Sequence, residues 1–425
     1  MLLLYNIGIK LYSLFVLVAS LFNNKAKLWI QGRKNIAFIR VDRGIWFHFA
    51  SLGEFEQGRP ILEAMRNLHP TKKIVVTFFS PSGYEIRKNT PLADYVYYLP
   101  LDTAANARKF IDAINPEIAV FTKYEYWYHF FKEAHKRHIP LYIVSGIFRP
   151  GQVFFKWYGA FNRRILKLVS HFFVQDEASK QLLQGIGLTN ATVSGDTRFD
   201  RVWANAQNPK TLPLIEAFKN GQKLFIAGST WPQDEALLTK LVTDYPDWKF
   251  IFAPHEIPEE KVNALVNLLP EGTAIRFSEL SELLEAKGER QKAKGEKDHG
   301  PWTIDHRQNL QSLIIDNIGM LSSLYAYGDI AYIGGGFGVG IHNTLEAAAF
   351  GLPVIFGPNY HKFNEAKQLI ALKAGFSISS EAELKGIVET LVTDEAFYSF
   401  TRKRILAYVQ ENVGATETIM KYIDQ

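Results

Sequence analysis

The 425-residue chain contains no cysteine, which excludes disulfide bonds and thiolate metal sites. It also lacks a strong charge of either sign, because 48 basic and 43 acidic residues leave a net charge of +5. That balance is not typical of a nucleic-acid-binding protein, although it suits anionic lipid or phosphorylated substrates. No segment repeats at a fixed period. Apolar residues make up 47% of the chain, and a chain of this length normally divides into two or more domains.

One long apolar run, Met1–Phe22, stands at the N-terminus and is interrupted by a single charge, Lys10. It is long enough to span a bilayer or to lie along it, and Lys10 could reach the interface with its charged end. The uncharged start and the lack of a small-x-small site before Asn23 disfavour a cleaved signal peptide. The basic residues that follow predict a cytoplasmic location for the rest of the chain. We therefore predict a membrane anchor over residues 1–24, with a buried helix of a soluble domain as the alternative.

Short apolar runs alternate with amphipathic segments through most of the chain. In the first half the predicted strands are Ile45–Ala50, Ile74–Phe79, Tyr95–Leu99, Ile118–Thr122, Leu141–Val144, Phe172–Val174 and Ala191–Val193. In the second half they are Leu224–Ala227, Phe250–Ala253, Leu313–Asp316, Ile330–Ile333 and Pro353–Phe356. Strands separated by helices predict α/β domains built on parallel sheets. The polar segment Val202–Leu214 is the predicted linker between two such domains.

The most informative stretch is Ile330–Glu365, in which a predicted strand enters a glycine-rich turn at Gly334–Gly336. Asn343 is a predicted N-cap for a short helix that ends near Gly351. A glycine turn that feeds a helix N-terminus suits a phosphate, and the Glu346 carboxylate could accept hydrogen bonds from ribose hydroxyls. The alternative is an ordinary strand-turn-helix connection, but His, Asn and Glu at this spacing favour a nucleotide site.

A second polar turn, Ser51–Glu54, follows the first predicted strand. Glu54 would then lie at the carboxyl edge of a sheet, where open α/β sheets bind ligands. A glutamate there could also serve only the N-terminus of the following helix.

These motifs resemble the Kdo transferases, GT-B glycosyltransferases that transfer 3-deoxy-D-manno-octulosonic acid (Kdo). The family pattern in the second half matches Gly334-Gly335, His342–Glu346, Ala349, Gly351, Pro353-Val354 and Gly357-Pro358. Ser51–Glu54 resembles the family motif that carries the general base. Lys123–Trp127 resembles the segment that supplies Glu125, and Gly195–Asp200 the segment in which Arg198 stands where the family has lysine.

Three further segments are similar to the family's donor site. Ala227–Thr230 matches its Ala-Gly-Ser-Thr motif, whereas Pro254-His255 lacks the arginine that the family usually has between these two residues. In Asn317–Leu321 the family glycine is present, but its Met and Glu are not.

The resemblance implies two Rossmann-like domains that face each other across a cleft, over residues 25–205 and 206–400, and a C-terminal helix, residues 401–425, that crosses back to the first domain. It implies inverting transfer of Kdo from CMP-Kdo to a lipid A precursor at the cytoplasmic face of the inner membrane. Glu54 would be the base, and Glu125 and Arg198 would stabilise the transition state. The implied donor-binding residues are Ser229, Thr230, Pro254, His255, Ile318, Gly319, Met320, His342, Asn343, Thr344, Leu345 and Glu346. We expect no metal, no cofactor and no nucleic-acid partner.

Two alternatives remain at this level. One is another GT-B enzyme, such as a UDP-sugar transferase or an epimerase. The other is a catalytically inactive, membrane-bound lipid or sugar binder. The segment Phe154–Phe173 is also open, since a basic, aromatic amphipathic helix can lie on a membrane surface or pack within the protein. Finally, the charged stretch Glu285–Asn309 is predicted to be an exposed insertion.

Overall fold

The computed structural model describes residues 1–34, 36–283 and 310–424, so the whole stretch Glu285–Asn309, predicted to be an exposed insertion, lies outside the described residues. The chain forms two compact units. The first contains Met1–Arg201 and Asn412–Gln425, and the second contains Val202–Glu411.

The first unit is built on a seven-stranded parallel sheet with the strand order β3-β2-β1-β4-β5-β6-β7. The strands are β1 (Gly44–Phe49), β2 (Ile74–Phe78), β3 (Tyr95–Tyr98), β4 (Pro116–Thr122), β5 (Leu141–Gly146), β6 (His171–Val174) and β7 (Ala191–Val193). Its helices are Leu2–Ala19, Asn24–Gln31, Leu52–Leu68, Pro81–Arg87, Ala104–Ile114, Tyr128–Lys136, Ala160–Leu166, Glu177–Gln184 and Ala415–Ile423, with a 3₁₀ turn at Val153–Phe155.

The second unit has its own seven-stranded parallel sheet, in the order β10-β11-β9-β8-β12-β13-β14. Its strands are β8 (Leu224–Thr230), β9 (Lys249–Pro254), β10 (Ala274–Arg276), β11 (Ser312–Ile314), β12 (Ile330–Ile333), β13 (Val354–Phe356) and β14 (Gly375–Ser377). Its helices are Pro213–Lys219, Pro232–Asp244, Glu259–Leu268, Leu321–Leu324, Leu345–Ala348, Asn364–Ala371, Glu381–Thr393 and Glu395–Glu411, with a 3₁₀ turn at Tyr325–Tyr327. Residues 277–283 are also helical.

Both faces of the first sheet are covered, which explains why its strands are apolar at successive positions. All six residues of β1 are buried. Trp46 packs into the core on one face, whereas Ile45, Phe47 and Phe49 pack into the core on the other. A strand buried on both sides in this way is typical of parallel sheets.

The boundary between the units falls inside a helix, Thr197–Gln207, so the predicted linker Val202–Leu214 is largely helical. The return to the first unit also differs from the sequence-based boundary. The helix Glu395–Glu411 belongs to the second unit, and only the chain from Asn412 onward rejoins the first.

The long amphipathic helix predicted over Phe154–Phe173 is wrong. A 3₁₀ turn, a helix of seven residues, Ala160–Leu166, and strand β6 share this segment. Phe154, Phe172 and Phe173 are buried, because the aromatic residues that suggested a membrane-facing stripe fill the core of the sheet.

Asp102 stands two residues before the helix Ala104–Ile114 but caps a different helix. Thr103 accepts the hydrogen bond from Asn106 N and caps the helix Ala104–Ile114. The buried Asp102 carboxylate accepts from the backbone N–H groups of His129 and Phe130, both at 3.1 Å, at the start of the helix Tyr128–Lys136.

Candidate functional site

The glycine loop, Gly334–Gly340, follows β12 at the carboxyl end of the second sheet. Its backbone contacts the backbone at the ends of the two neighbouring strands, β8 and β13. Gly334 N donates to Gly228 O at 2.9 Å. A Cβ atom on Gly336 would lie 2.5 to 2.8 Å from backbone atoms of Gly357, and Gly335 has φ +89°. Side chains cannot be accommodated at such contacts, so the backbone of the loop packs directly against the ends of the neighbouring strands.

Asp234 holds this loop in place from the buried side. Its carboxylate accepts hydrogen bonds from Gly335 N (2.8 Å), Trp231 N (2.9 Å) and the hydroxyl of Tyr332 (2.7 Å). The sequence analysis did not identify Asp234. Asp234 is the third residue of a helix that begins with Pro232. An acidic residue at this position is typical of a capping box, and that pattern could have identified it from the sequence.

Three aromatic rings stack beside the loop. The Trp231 and His255 ring centroids are 5.0 Å apart, and those of His255 and His342 are 4.3 Å apart, with small interplanar angles. Burial, together with the nearby His255, lowers the pKa of His342 to about 4. The side chain of His342 is therefore neutral at pH 7. Trp231 was also missed by the sequence analysis, because a tryptophan after a strand is more often part of a core.

Asn343 and Glu346 are joined by a 3.0 Å hydrogen bond from Asn343 Nδ2 to Glu346 Oε1. Asn343 Oδ1 accepts from Leu345 N at 3.1 Å, although the residue at the helix N-cap is Thr344, one position later than expected. The helix Leu345–Ala348 has only four residues, so its dipole is small and by itself attracts a phosphate only weakly.

The remaining predicted donor residues differ in how exposed they are. Thr344 and Leu345 are fully buried, and so is Thr230, whose hydroxyl donates to Glu235 at 2.8 Å. Ile318 is exposed. The side chains available to a ligand at this edge are therefore chiefly those of Ser229, His255, His342, Asn343 and Glu346.

In the first unit, Glu54 lies in the first turn of the helix Leu52–Leu68, directly after β1. Its carboxylate accepts a hydrogen bond from the Ser51 hydroxyl and makes no ion pair within the described parts of the chain. Glu56, two residues later, differs in this respect, because it forms ion pairs with Arg87 (2.5 Å) and Arg201 (2.6 Å). The two glutamates therefore have different electrostatic environments.

Glu125 follows β4, the neighbour of β1, and is held by two ring N–H groups. Trp127 Nε1 donates to Glu125 Oε2 at 2.8 Å, and His48 Nε2 lies 3.2 Å from the same oxygen. His48 is completely buried within β1, and its Nδ1 lies 2.9 Å from the Thr77 hydroxyl. The sequence analysis missed His48, because a histidine inside an apolar strand is more often a core residue.

Arg198 is paired with Asp196 through Nε (2.9 Å) and NH2 (2.7 Å). Burial tends to raise the pKa of Asp196, but Arg198 outweighs that effect and the pKa lies below its usual value. Asp196 also accepts from Gln57 Nε2 at 2.9 Å, so the Arg198 segment is tied to the helix that carries Glu54.

A cavity of about 350 Å³ opens near these residues and is lined by Tyr124, Tyr126, Arg149, Gln152 and Phe154. Burial raises the pKa of Tyr124, and the charges that act on it include those of Arg149, Glu54 and Arg198. Glu54, Arg198 and this polar cavity therefore belong to one region of the first unit.

Comparison with known proteins agrees with the motifs. Residues 22–201 match the family model of the 3-deoxy-D-manno-octulosonic-acid transferases (kdotransferases). The Kdo transferase of Chlamydia muridarum is 26% identical over 363 residues, which cover 83% of this chain and 78% of the relative. That of Haemophilus influenzae is 26% identical over 392 residues, or 89% of this chain and 86% of the relative.

The chain is thus similar to the Kdo transferases over most of its length. It is therefore a glycosyltransferase of lipopolysaccharide synthesis, and the recognition made from the motifs is confirmed. The UDP-GlcNAc 2-epimerase of Neisseria meningitidis has a similar fold, with a TM-score of 0.58, 13% identity and coverage of 89% of this chain and 99% of that one. Its likeness, together with the two parallel sheets, supports the GT-B fold class.

Among residues 1–34, 36–283 and 310–424, no group of three or more His, Asp or Glu side chains could hold a metal ion. The roles of Glu54, Glu125 and Arg198, and those of the donor-binding residues, stay predictions.

Proposed function

We propose that this Kdo transferase moves Kdo from CMP-Kdo to a lipid A precursor, with Glu54 as the general base. The observation that carries this assignment is the environment of Glu54. Its carboxylate is half-buried at the carboxyl edge of the first sheet, its hydrogen bond comes from the neutral Ser51, and no ion pair neutralises it within the described residues. Such a carboxylate is free to take a proton, whereas one held by two arginines is not.

The second unit would bind the CMP part of the donor. The exposed tip of the glycine loop, at Gly338 and Val339, would lie beside the phosphate, which main-chain N–H groups suit. The Glu346 carboxylate would accept hydrogen bonds from the ribose hydroxyls, with Asn343 fixing its orientation at 3.0 Å. The neutral ring of His342, stacked on His255, offers an uncharged flat surface for the cytosine base.

The first unit would bind the acceptor sugar. Arg149 and Gln152 line the polar cavity near Glu54, and a cation there suits a phosphorylated sugar. Glu125, oriented by His48 and Trp127, and Arg198 are further polar groups of this proposed acceptor site.

In the proposed reaction, Glu54 removes the proton of an acceptor hydroxyl as the hydroxyl oxygen forms a bond to the anomeric carbon of Kdo. The bond between that carbon and the phosphate oxygen breaks, and CMP leaves with the electron pair. Attack from the face opposite to the leaving group inverts the configuration. The acceptor lipid lies in a membrane, so we also propose that the enzyme works at the cytoplasmic face of the inner membrane.

The full-length protein, incubated with CMP-Kdo and a lipid A precursor, tests the proposal by the mass of the lipid product. We expect addition of Kdo and release of CMP, with no transfer from UDP-GlcNAc under the same conditions. Transfer from the UDP-sugar would instead favour another GT-B activity. A folded protein that binds CMP and transfers nothing would be a binder, and the proposal would be wrong.

A further inference from the structure

The N-terminal helix Leu2–Ala19 has one side covered by the rest of the first unit. The covered or partly covered residues are Tyr5, Asn6, Ile9, Ser13 and Val16. Spacings of three and four residues put these positions on one face of the helix. The helix therefore contacts the first unit along most of its length, with a face that includes polar side chains.

Polar contacts fix the N-terminal part of this helix. The hydroxyl of Tyr5 donates to the buried carboxylate of Asp102, and Asn6 Oδ1 lies 2.7 Å from Nε2 of His129. The Tyr5 ring also packs on Tyr128 and Phe161, with centroids 6.0 and 5.5 Å apart. A buried carboxylate is costly without donors, so Asp102 favours the docked position of Tyr5.

A second contact lies two turns further along. The ring of Tyr12 packs against Trp29 at 5.8 Å and against Phe79 at 6.1 Å. Arg33 lies over the Trp29 ring, 3.9 Å from its centroid. The middle of the helix is therefore docked as well as its beginning.

The opposite face of the helix is apolar and exposed. The residues on it, each 43 to 72% exposed, are Leu4, Ile7, Leu11, Leu14, Phe15 and Val18. A rotation of 100° per residue along the helix puts Lys10 toward the edge of this face and not at its centre. An ordinary surface helix turns its apolar face to the core and its polar face to water, whereas this helix does the reverse. An exposed apolar patch of six large side chains marks an interaction surface.

Exposed aromatic residues stand close to the docked end. Trp157 is 90% exposed and Tyr158 is 53% exposed. Both immediately precede the helix that carries Phe161, the residue in contact with Tyr5. Tryptophan and tyrosine are the residues that favour the interface between lipid and water.

We propose that the helix Leu2–Ala19 lies flat in one leaflet of the membrane, with its apolar face in the acyl chains and its polar face locked to the first unit by Tyr5, Asp102 and His129. A helix of this composition could also span a bilayer by its length. However, a spanning helix would carry Tyr5 and Tyr12 away from Asp102, Trp29 and Phe79, because those partners belong to a folded unit that stays in water. The inference does not depend on which sugar the enzyme transfers.

Depth measurements on the full-length protein in lipid vesicles test this orientation. Since the chain has no cysteine, a spin label can be attached singly to Leu4→Cys, Leu11→Cys and Val18→Cys. A flat helix gives three similar depths. A spanning helix puts position 11 deeper than positions 4 and 18 by about 10 Å, from seven residues at about 1.5 Å each. That difference would overturn the proposal, as would labels that remain in water at all three positions.

The contribution of the hydrogen bond from Tyr5 to Asp102 is tested by removing a single hydroxyl group. Ser13→Cys and Ile9→Cys report on the docked face through their rates of thiol labelling. In either background we expect Tyr5→Phe to raise the rate by about tenfold to a hundredfold, as expected for loss of a hydrogen bond to a charged group. Tyr12→Phe is the matched control, since no hydrogen bond of its hydroxyl is found within the described residues, and it should change the rate little. Equal labelling rates in the Tyr5 and Tyr12 variants would show that the hydrogen bond from Tyr5 to Asp102 does not hold the helix against the first unit.

Discussion

Trp231 Nε1 donates a hydrogen bond of 3.1 Å to Nε2 of His342. Because Nε2 accepts, the neutral imidazole of His342 must carry its proton on Nδ1. Protonation of Nε2 would bring two N–H groups face to face. The indole therefore selects both the charge state and the tautomer of a histidine in the proposed donor site.

The first prediction concerns pH. Burial and His255 lower the pKa of His342 from 6.5 to about 4, so the unfolded chain takes up this proton at a higher pH than the folded protein does. The stability that neutral His342 contributes is present above pH 6.5 and is lost as the pH falls toward 4. We expect the melting temperature of the wild type to fall more between pH 7 and pH 4.5 than that of His342→Gln. Replacement of the exposed His361 is the control, and identical pH profiles for His342→Gln and wild type would contradict the prediction.

The second prediction concerns the ribose. Glu346→Ala should weaken CMP binding by about 1.5–3 kcal/mol, the usual worth of hydrogen bonds to a charged group. Calorimetric titration with CMP measures the effect. Glu383→Ala, on the exposed surface of the same unit, should bind CMP like the wild type. If folded Glu346→Ala keeps full affinity, Glu346 does not contact the ribose.

The third prediction separates two glutamates in one helix. Glu54→Gln keeps the shape of the side chain but removes the base, so turnover should fall by roughly 10²- to 10⁴-fold while CMP affinity stays nearly unchanged. Glu56→Gln weakens ion pairs to Arg87 and Arg201 and should lower the melting temperature without a comparable loss of turnover per folded molecule. Near-normal turnover by Glu54→Gln would remove Glu54 from the chemistry.

The fourth prediction concerns the glycine loop. An alanine at position 336 would bring its Cβ to 2.5–2.8 Å from the backbone of Gly357, which cannot move aside. We expect Gly336→Ala to cost roughly 1–3 kcal/mol of unfolding free energy and to weaken CMP binding. At Gly338 the nearest atom is Oε1 of the flexible Gln233, at 3.2 Å, so Gly338→Ala should change stability by at most about 0.5 kcal/mol. Denaturant unfolding of the two variants compares them, and equal stabilities would show that the close approach at Gly336 is relaxed.

The sequence was sufficient to predict the α/β alternation and the elements around both proposed sites. The limits of β7 and β12 were predicted without error, because apolar runs bounded by polar or glycine residues are a local signal. The strands β10 and β14 were missed. Their sequences, Ala-Ile-Arg and Gly-Phe-Ser, contain polar or glycine residues and form no apolar run, so pairing with a neighbouring strand defines them.

The partners of the proposed site residues could not be predicted in the same way. His48 holds Glu125 across 77 positions of sequence, and Asp234 holds Gly335 across 101. Such contacts depend on which strands become neighbours, and local patterns do not contain that information. The partners of Asp102 likewise lie on two separate helices, since Tyr5 belongs to Leu2–Ala19 and His129 to Tyr128–Lys136.

The last part of the chain completes the first unit. Ile419 is fully buried among the residues that cover one face of the first sheet, and Asp200 accepts hydrogen bonds from Gly414 N (2.6 Å) and Thr416 N (2.7 Å). During synthesis, the apolar surface that Ile419 covers therefore stays exposed until the whole of Val202–Glu411 has been translated. At typical rates of chain elongation this takes about 10 to 40 seconds, a period in which the exposed apolar surface of the nascent chain favours aggregation.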